Sequence, residues 1–249
     1  MCLIVVGWRV HADYPLLVAA NRDEFYARPT APAGRWPSAQ QVIGGRDLEA
    51  GGTWLGITES GRFAAVTNVR EPGMGSGQRS RGELTRDFLL ADSPPIDYAR
   101  NIDKAAFSGF NLLLADGDSL LYCSNRDGEP QVLAAGIYGL SNHRLDTPWP
   151  KLQTAREKFT RAIGDLPDEA GLFALLADNS IVPDENLPQT GVPLEWERLL
   201  SAIFVQSATY GTRASTLVWQ KSDAGIRLHE RSFGPHGEPL QSSLISTGV

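Results

Sequence analysis

The chain has 249 residues, 42% hydrophobic and 21% charged, with a net charge of −6. That is enough apolar content for a sizeable core in a single domain over 1–249. The acidic balance excludes the basic footprint of a nucleic-acid binder and a polybasic membrane patch. Two cysteines, Cys2 and Cys123, cannot build a disulfide framework and fit a reducing, cytoplasmic compartment. The opening apolar run, Cys2 to Val6, is too short for a signal-peptide core or a membrane span.

In chain order, two apolar runs flank the turn-prone patch Ala12-Asp13-Tyr14-Pro15, which predicts a β-hairpin. A turn centred near Ala12-Asp13 sets Cys2 opposite Asp23, to within about two residues. The strand period of two then puts Cys2, Ile4, Asn21 and Asp23 on one face. Residues 27–52 are rich in Pro and Gly and read as a long irregular excursion. Thr53–Thr58 and Arg62–Asn68 flank a second hairpin turn. After a Gly-rich loop at 71–79, Ser80 with Glu83 forms a capping box that starts a helix running to about Leu90. A further helix follows Pro94-Pro95, to about Ala106.

Gly109–Ala115 and Ser119–Cys123 flank Asp116-Gly117-Asp118, a strong hairpin signal. Short strands are expected at 131–134 and 136–141. A helix with an apolar stripe of Leu152, Ala155, Phe159, Ala162 and Ile163 starts at Pro150 and ends at Gly164. Helices at 168–177 and 194–203 follow, then strands at 212–219 and 226–233. Hairpin links throughout argue for an α+β fold of mostly antiparallel sheets. Several strands are apolar on both faces, which two face-to-face sheets with helices outside would satisfy.

Chemistry could sit at several of these strand ends. Removal of Met1 would leave the Cys2 α-amino group beside its own thiol, as base to nucleophile. The competing reading of Cys2 is a small apolar side chain opening a buried strand. Asn21-Arg22-Asp23-Glu24 ends an apolar strand with four polar residues, and Asp23 beside Cys2 would hold or orient the amine. Asn68, Asn111 and Asn142 can each donate to a developing oxyanion or cap a turn. Arg213 opens a strand and suits a carboxylate. The four histidines lie far apart in sequence and no Cys-x-x-Cys occurs, so zinc is unsupported. The Gly73–Gly77 loop lacks the Lys of a phosphate-binding loop.

Taken together, Met-Cys-Leu-Ile at 1–4, Ala-Asn-Arg-Asp-Glu at 20–24, Gly-Gly-Thr-Trp-Leu-Gly at 51–56, Thr-Asn-Val-Arg at 67–70, Gly-Phe-Asn-Leu-Leu at 109–113, Gly-Leu-Ser-Asn at 139–142, Asp-Thr-Pro-Trp-Pro-Lys at 146–151 and Tyr-Gly-Thr-Arg-Ala-Ser-Thr at 210–216 resemble the transport and Golgi organisation (NRDE) family. The layout also resembles N-terminal nucleophile (Ntn) hydrolases of the bile-salt hydrolase and penicillin V acylase type. That resemblance implies a four-layer αββα sandwich of two mostly antiparallel sheets flanked by helices. It implies Cys2 as nucleophile, Asp23 as the carboxylate near it, Asn142 and Asn68 as oxyanion donors and Arg213 as the late arginine. Those hydrolases carry an Arg three residues before the Asp, where this chain has Ala20. Asn21, Arg22, Trp54, Asn111 and His143 are the candidate substrate-binding side chains.

Two functions follow from these resemblances. One is hydrolysis or transfer of acyl groups from non-peptide amides or thioesters, with no cofactor. The other is non-catalytic binding and trafficking of haem or an acyl-CoA or lipid, as linked to eukaryotic relatives. Trp36 and Trp54 would then shape an apolar mouth, and Cys2 and His143 would be the first haem ligands to test. The partner expected in either case is a small-molecule acyl compound or haem.

Overall fold

The computed structural model describes residues 2–73, 77–223 and 225–248, and the side chain of Cys2 lies outside that description. Its strands in chain order are β1 (Cys2–Trp8), β2 (Leu16–Phe25), β3 (Thr30–Trp36), β4 (Ala39–Asp47), β5 (Leu55–Thr58) and β6 (Phe63–Asn68). Helices α1 (Arg81–Leu90) and α2 (Pro95–Arg100) follow, then β7 (Phe110–Ala115), β8 (Leu120–Ser124), β9 (Gln131–Leu133) and β10 (Gly136–Leu140). Helices α3 (Pro150–Ala162), α4 (Ala170–Leu176) and α5 (Leu194–Leu199) precede β11 (Tyr210–Gln220), β12 (Ile226–Phe233) and β13 (Pro239–Thr247).

One sheet has the order β10-β1-β2-β11-β12-β13 and the other is the meander β3 to β9. Their facing sides share one core, in which Ile4, Val18, Ala20 and Val218 meet Ile43, Ile57, Phe63 and Leu113. The outer face of the first sheet buries Leu3, Val5, Leu17 and Ala19 under Leu152, Ala155 and Phe159 of α3 and Leu172, Phe173, Leu175 and Leu176 of α4. The outer face of the second buries Ala64, Leu112 and Leu114 under Leu84, Phe88 and Leu89 of α1. Double burial explains why β1, β2 and β7 read as continuous apolar runs rather than alternating ones. The result is an α+β sandwich in four layers.

Several sequence expectations shift. The 27–52 stretch is β3 and β4 with irregular pairing between Ala31 and Gly34 and again between Arg35 and Trp36. As β3 is an edge strand, Pro32 needs no ladder partner there. The helix expected to reach Ala106 ends at Arg100, and Lys104–Ala106 is a separate 3-10 turn. Strands β9 and β10 belong to different sheets, with only Ala134 and Ala135 between them. Strand β13 has no apolar alternation strong enough to announce it, because it is an exposed edge. The capping box at Ser80 and Glu83 is present as read. Of the Gly-rich 71–79 stretch, 74–76 lie outside the described residues.

One register difference matters for the site. Cys2 pairs with Arg22, and Leu3 with Asn21. The expected partner of Cys2, Asp23, is one residue away, and a one-residue slip exchanges the two faces of a strand. Asn21 and Asp23 therefore share the face of Leu3, toward the helices, while Arg22 shares the face of Ile4 and Ala20, between the sheets.

Candidate functional site

The ends of β2, β4 and β6 meet the start of α1 around a cavity of about 140 Å³. Its walls include Arg22, Asp23, Asp47, Trp54, Thr67, Asn68 and Ser80 to Gly82. The start of α1 is seated by close backbone approach: a Cβ at Gly52 would lie 2.3 Å from the Gly82 backbone. Thr53 N–H donates to the Gly82 carbonyl at 3.2 Å, and the Thr85 hydroxyl donates to the Thr53 carbonyl. Only glycine at 52 permits this contact.

Asp23 is buried, at 1% exposure. Its Oδ1 accepts from the Thr212 hydroxyl at 2.7 Å, and Thr212 accepts in turn from Val205 N–H. The Tyr210 hydroxyl donates to the Asp23 carbonyl at 3.2 Å. Burial pushes the carboxyl above its ordinary range, opposed by the nearby Lys151 ammonium, the Thr212 hydrogen bond and Arg22. Asp47 behaves in the opposite way. Burial alone would raise it, but hydrogen bonds from Arg28 and the Ala50 backbone hold it below the usual carboxylate range.

The Arg22 guanidinium lies over the Trp54 ring at 4.3 Å. Asp47 and Glu24 approach it at 3.7 and 3.9 Å. Trp54 can lie there because position 45 is glycine: a Cβ would sit 2.2 Å from the indole.

Asn68 and Asn142 are brought together. Asn142 is fully buried, and its Nδ2 donates to the Asn68 carbonyl at 3.1 Å and to Asn68 Oδ1 at 2.9 Å. With its Oδ1 tied, Asn68 keeps an Nδ2 that makes no hydrogen bond among the described residues, on the wall of the cavity. Asn142, which the resemblance gave an oxyanion role, thus spends both of its amide contacts on holding Asn68. The pair is backed by Arg70, whose N–H donates to the Asn142 carbonyl at 2.8 Å. The Arg70 guanidinium pairs with Glu197 of α5 at 2.7 Å in the interior.

The other expected site residues are placed elsewhere. Asn21 is buried on the helix side: its Nδ2 donates to the Leu176 and Ile203 carbonyls, both at 2.8 Å, and its Oδ1 accepts from Ser215. Asn111 is buried, donating to the His143 carbonyl and Thr67 and accepting from the Tyr122 hydroxyl. These two amides tie elements together and do not line the cavity. His143 is exposed, bonded to the Thr147 hydroxyl at 2.9 Å, with its ring 5.9 Å from that of Trp149. A bulge between Thr212 and Ala214 carries Arg213 away from Asp23 into a second cavity, which shares Arg22 and Trp54 with the first. The proposed nucleophile Cys2 lies outside the described residues apart from its backbone, which pairs with Arg22. Cys123 is buried in the outer core, where burial pushes its thiol up.

The family model for Transport and Golgi organisation 2 matches residues 1–235. The chain belongs to the Transport and Golgi organisation 2 family. A homologue from Bos taurus, named Transport and Golgi organization protein 2 homolog, is 39% identical over 88% of this chain and 87% of its own length. The Homo sapiens homologue is 36% identical over the same shares of each chain. Among solved structures, the Caenorhabditis elegans N-acylethanolamine-hydrolyzing acid amidase ortholog superposes with a TM-score of 0.53 at 14% identity. The match covers 87% of this chain and 92% of that one. At that identity the likeness shows the fold, which is Ntn-hydrolase-like. No helix among the described residues is long and apolar enough to cross a membrane, and no group of three or more His, Cys, Asp or Glu among them could hold a metal ion.

Thr212, Asp47 and Glu197 join the site's surroundings without having been expected from the sequence. Thr212 does sit inside the Tyr-Gly-Thr-Arg motif, next to Arg213, so a local signal for it exists. Asp47 and Glu197 carry no local signal, since each matters through a partner brought in by the fold.

Proposed function

We propose that this protein hydrolyses or transfers small acyl groups from non-peptide amides or thioesters, with Cys2 as nucleophile. The observation that carries the reading is Asn68, held by Asn142, on the wall of a cavity that buried Asp23 also lines, at the end of the strand that pairs with β1. After removal of Met1, the Cys2 α-amine takes the thiol proton and the sulfur attacks the acyl carbonyl carbon. Asn68 Nδ2 donates to the oxyanion that forms there, and Asn142 holds Asn68 in place. The intermediate collapses as the ammonium returns the proton to the departing amine or thiol, leaving an acyl thioester on Cys2. Water or another acceptor then attacks that thioester and frees the sulfur. Asp23 orients the α-amine from its buried position.

Intact-mass analysis after incubation with S-acyl N-acetylcysteamine thioesters tests this. The expected result is loss of Met1 and an acyl adduct confined to the N-terminal peptide, absent in Cys2→Ala. Retained Met1, or equal turnover by Cys2→Ala, defeats the reading. Binding of acyl-CoA or haem without turnover would instead support the carrier role.

A further inference from the structure

We propose that the second cavity, between the sheets beside Arg22, is a binding site for a carboxylate. It encloses about 130 Å³, and its walls include Arg22, Arg213, Glu230, Trp54, Pro32 and Phe233. Two guanidiniums thus line one small cavity, Arg22 buried and Arg213 half-buried. Arg22 is 6% exposed, and its one side-chain hydrogen bond among the described residues is a long one of 3.4 Å to the Thr30 hydroxyl. Its nearest carboxylates, at 3.7 and 3.9 Å, stand beyond hydrogen-bond distance.

Arg213 makes no ion pair among the described residues. Its Nη1 donates to the Phe25 and Arg28 carbonyls at 3.2 and 2.5 Å. Its buried Nε–H has no hydrogen-bond partner among those residues. The Nε–Nη2 edge of a guanidinium is the fork that takes a carboxylate in bidentate fashion.

The acid already in the cavity does not fill that role. Both Glu230 oxygens are engaged, one by the Ala33 N–H at 2.7 Å and the other by the Thr216 hydroxyl at 3.0 Å. Burial also pushes its carboxyl above the ordinary range, which weakens it as a counter-charge. A ligand carboxylate on Arg213 and Arg22 would offset the repulsion between the two cations, with its methylenes against Pro32 and Phe233. This holds whether or not Cys2 turns over a substrate.

Calorimetric titration of the full chain with glutarate, with its neutral analogue glutaramide and with inorganic phosphate tests the site. Glutarate should bind at least about tenfold more tightly than either control. Arg213→Gln should weaken glutarate by about tenfold, and Arg213→Lys, which keeps charge but loses the fork, by less. Ser232→Asp supplies a carboxylate from the cavity wall, and should raise Tm while blocking glutarate even if Arg213→Gln fails to fold. A free anion site gives the S-glutaryl thioester of N-acetylcysteamine and glutarate similar affinity; a subsite for carboxylate-terminated acyl compounds favours the thioester. Equal binding of glutarate and glutaramide, equal binding of phosphate, or unchanged glutarate affinity in Arg213→Gln and Ser232→Asp overturns the proposal.

Discussion

Replacing Glu197 by alanine should be among the most damaging single changes outside the apolar core. The Glu197 and Arg70 side chains are 6% and 3% exposed and meet at 2.7 Å. Glu197 Oε1 also accepts from the Thr190 N–H and hydroxyl at 2.8 and 2.6 Å. Removing one partner of such a pair costs about 3–5 kcal/mol, because the other charge loses its compensation in the interior. Unfolding entropy runs at about 2.1 cal/mol/K per residue, so a loss of about 4 kcal/mol lowers Tm by about 8 °C in a chain of 249 residues. Calorimetry on Glu197→Ala measures this directly. The double variant Arg70→Met with Glu197→Leu should recover most of the loss, since apolar replacement of a buried pair is often neutral. Because Arg70 N–H also holds the Asn142 carbonyl, the single variant should loosen the Asn68–Asn142 pair as well. A melt within about 2 °C of the parent, or a double variant less stable than the single one, would refute the argument.

Two further outcomes follow from packing and burial. Gly45→Ala drives a Cβ into the Trp54 ring, and should cost about 1–3 kcal/mol while moving the indole off Arg22; urea unfolding and Trp fluorescence read both, and an unshifted emission spectrum would count against it. Glu230→Gln cannot ionise. As burial raises the Glu230 carboxyl, the parent keeps that contribution to stability below the ordinary glutamate value of about 4.3 and loses it as pH climbs through the raised value. The variant should therefore match the parent at pH 4 and melt higher at pH 8, and a difference that stays constant with pH would be the contrary result.

How far the sequence carried the fold depended on whether a signal was local. The Ser80–Glu83 capping box and the Asp116-Gly117-Asp118 turn act within a few residues, and both elements lie where they were read. The β3–β4 pair was hidden by Pro and Gly that an edge strand with bulges tolerates. The site was legible as segments but not as a surface. Asn68, Asn111 and Asn142 stand at or just past strand ends, and Asn21 and Asp23 lie within the second half of β2. Whether each amide faces a cavity or a buried carbonyl is decided by register and by elements far along the chain. The slip from Asp23 to Arg22 opposite Cys2 is one residue, within the stated range, yet it puts Arg22 between the sheets and Asp23 toward the helices. Arg213 shows the same limit, because the bulge that redirects it leaves no mark in Thr-Arg-Ala.

The two sheets differ in how their strands are gathered from the chain. The seven-stranded sheet is a meander in strict sequence order, so each pairing closes a modest loop. The six-stranded sheet joins β2 to β11, and its Asp23–Thr212 contact spans 189 residues. Loop-closure entropy makes the β2–β11 seam the costlier pairing to close and the meander the cheaper one. Asp23 stands on that seam, and Asn68 on the meander, at the end of β6. The candidate site thus comes together only when the most distant pairing in the molecule has closed, and an incompletely folded chain cannot carry it.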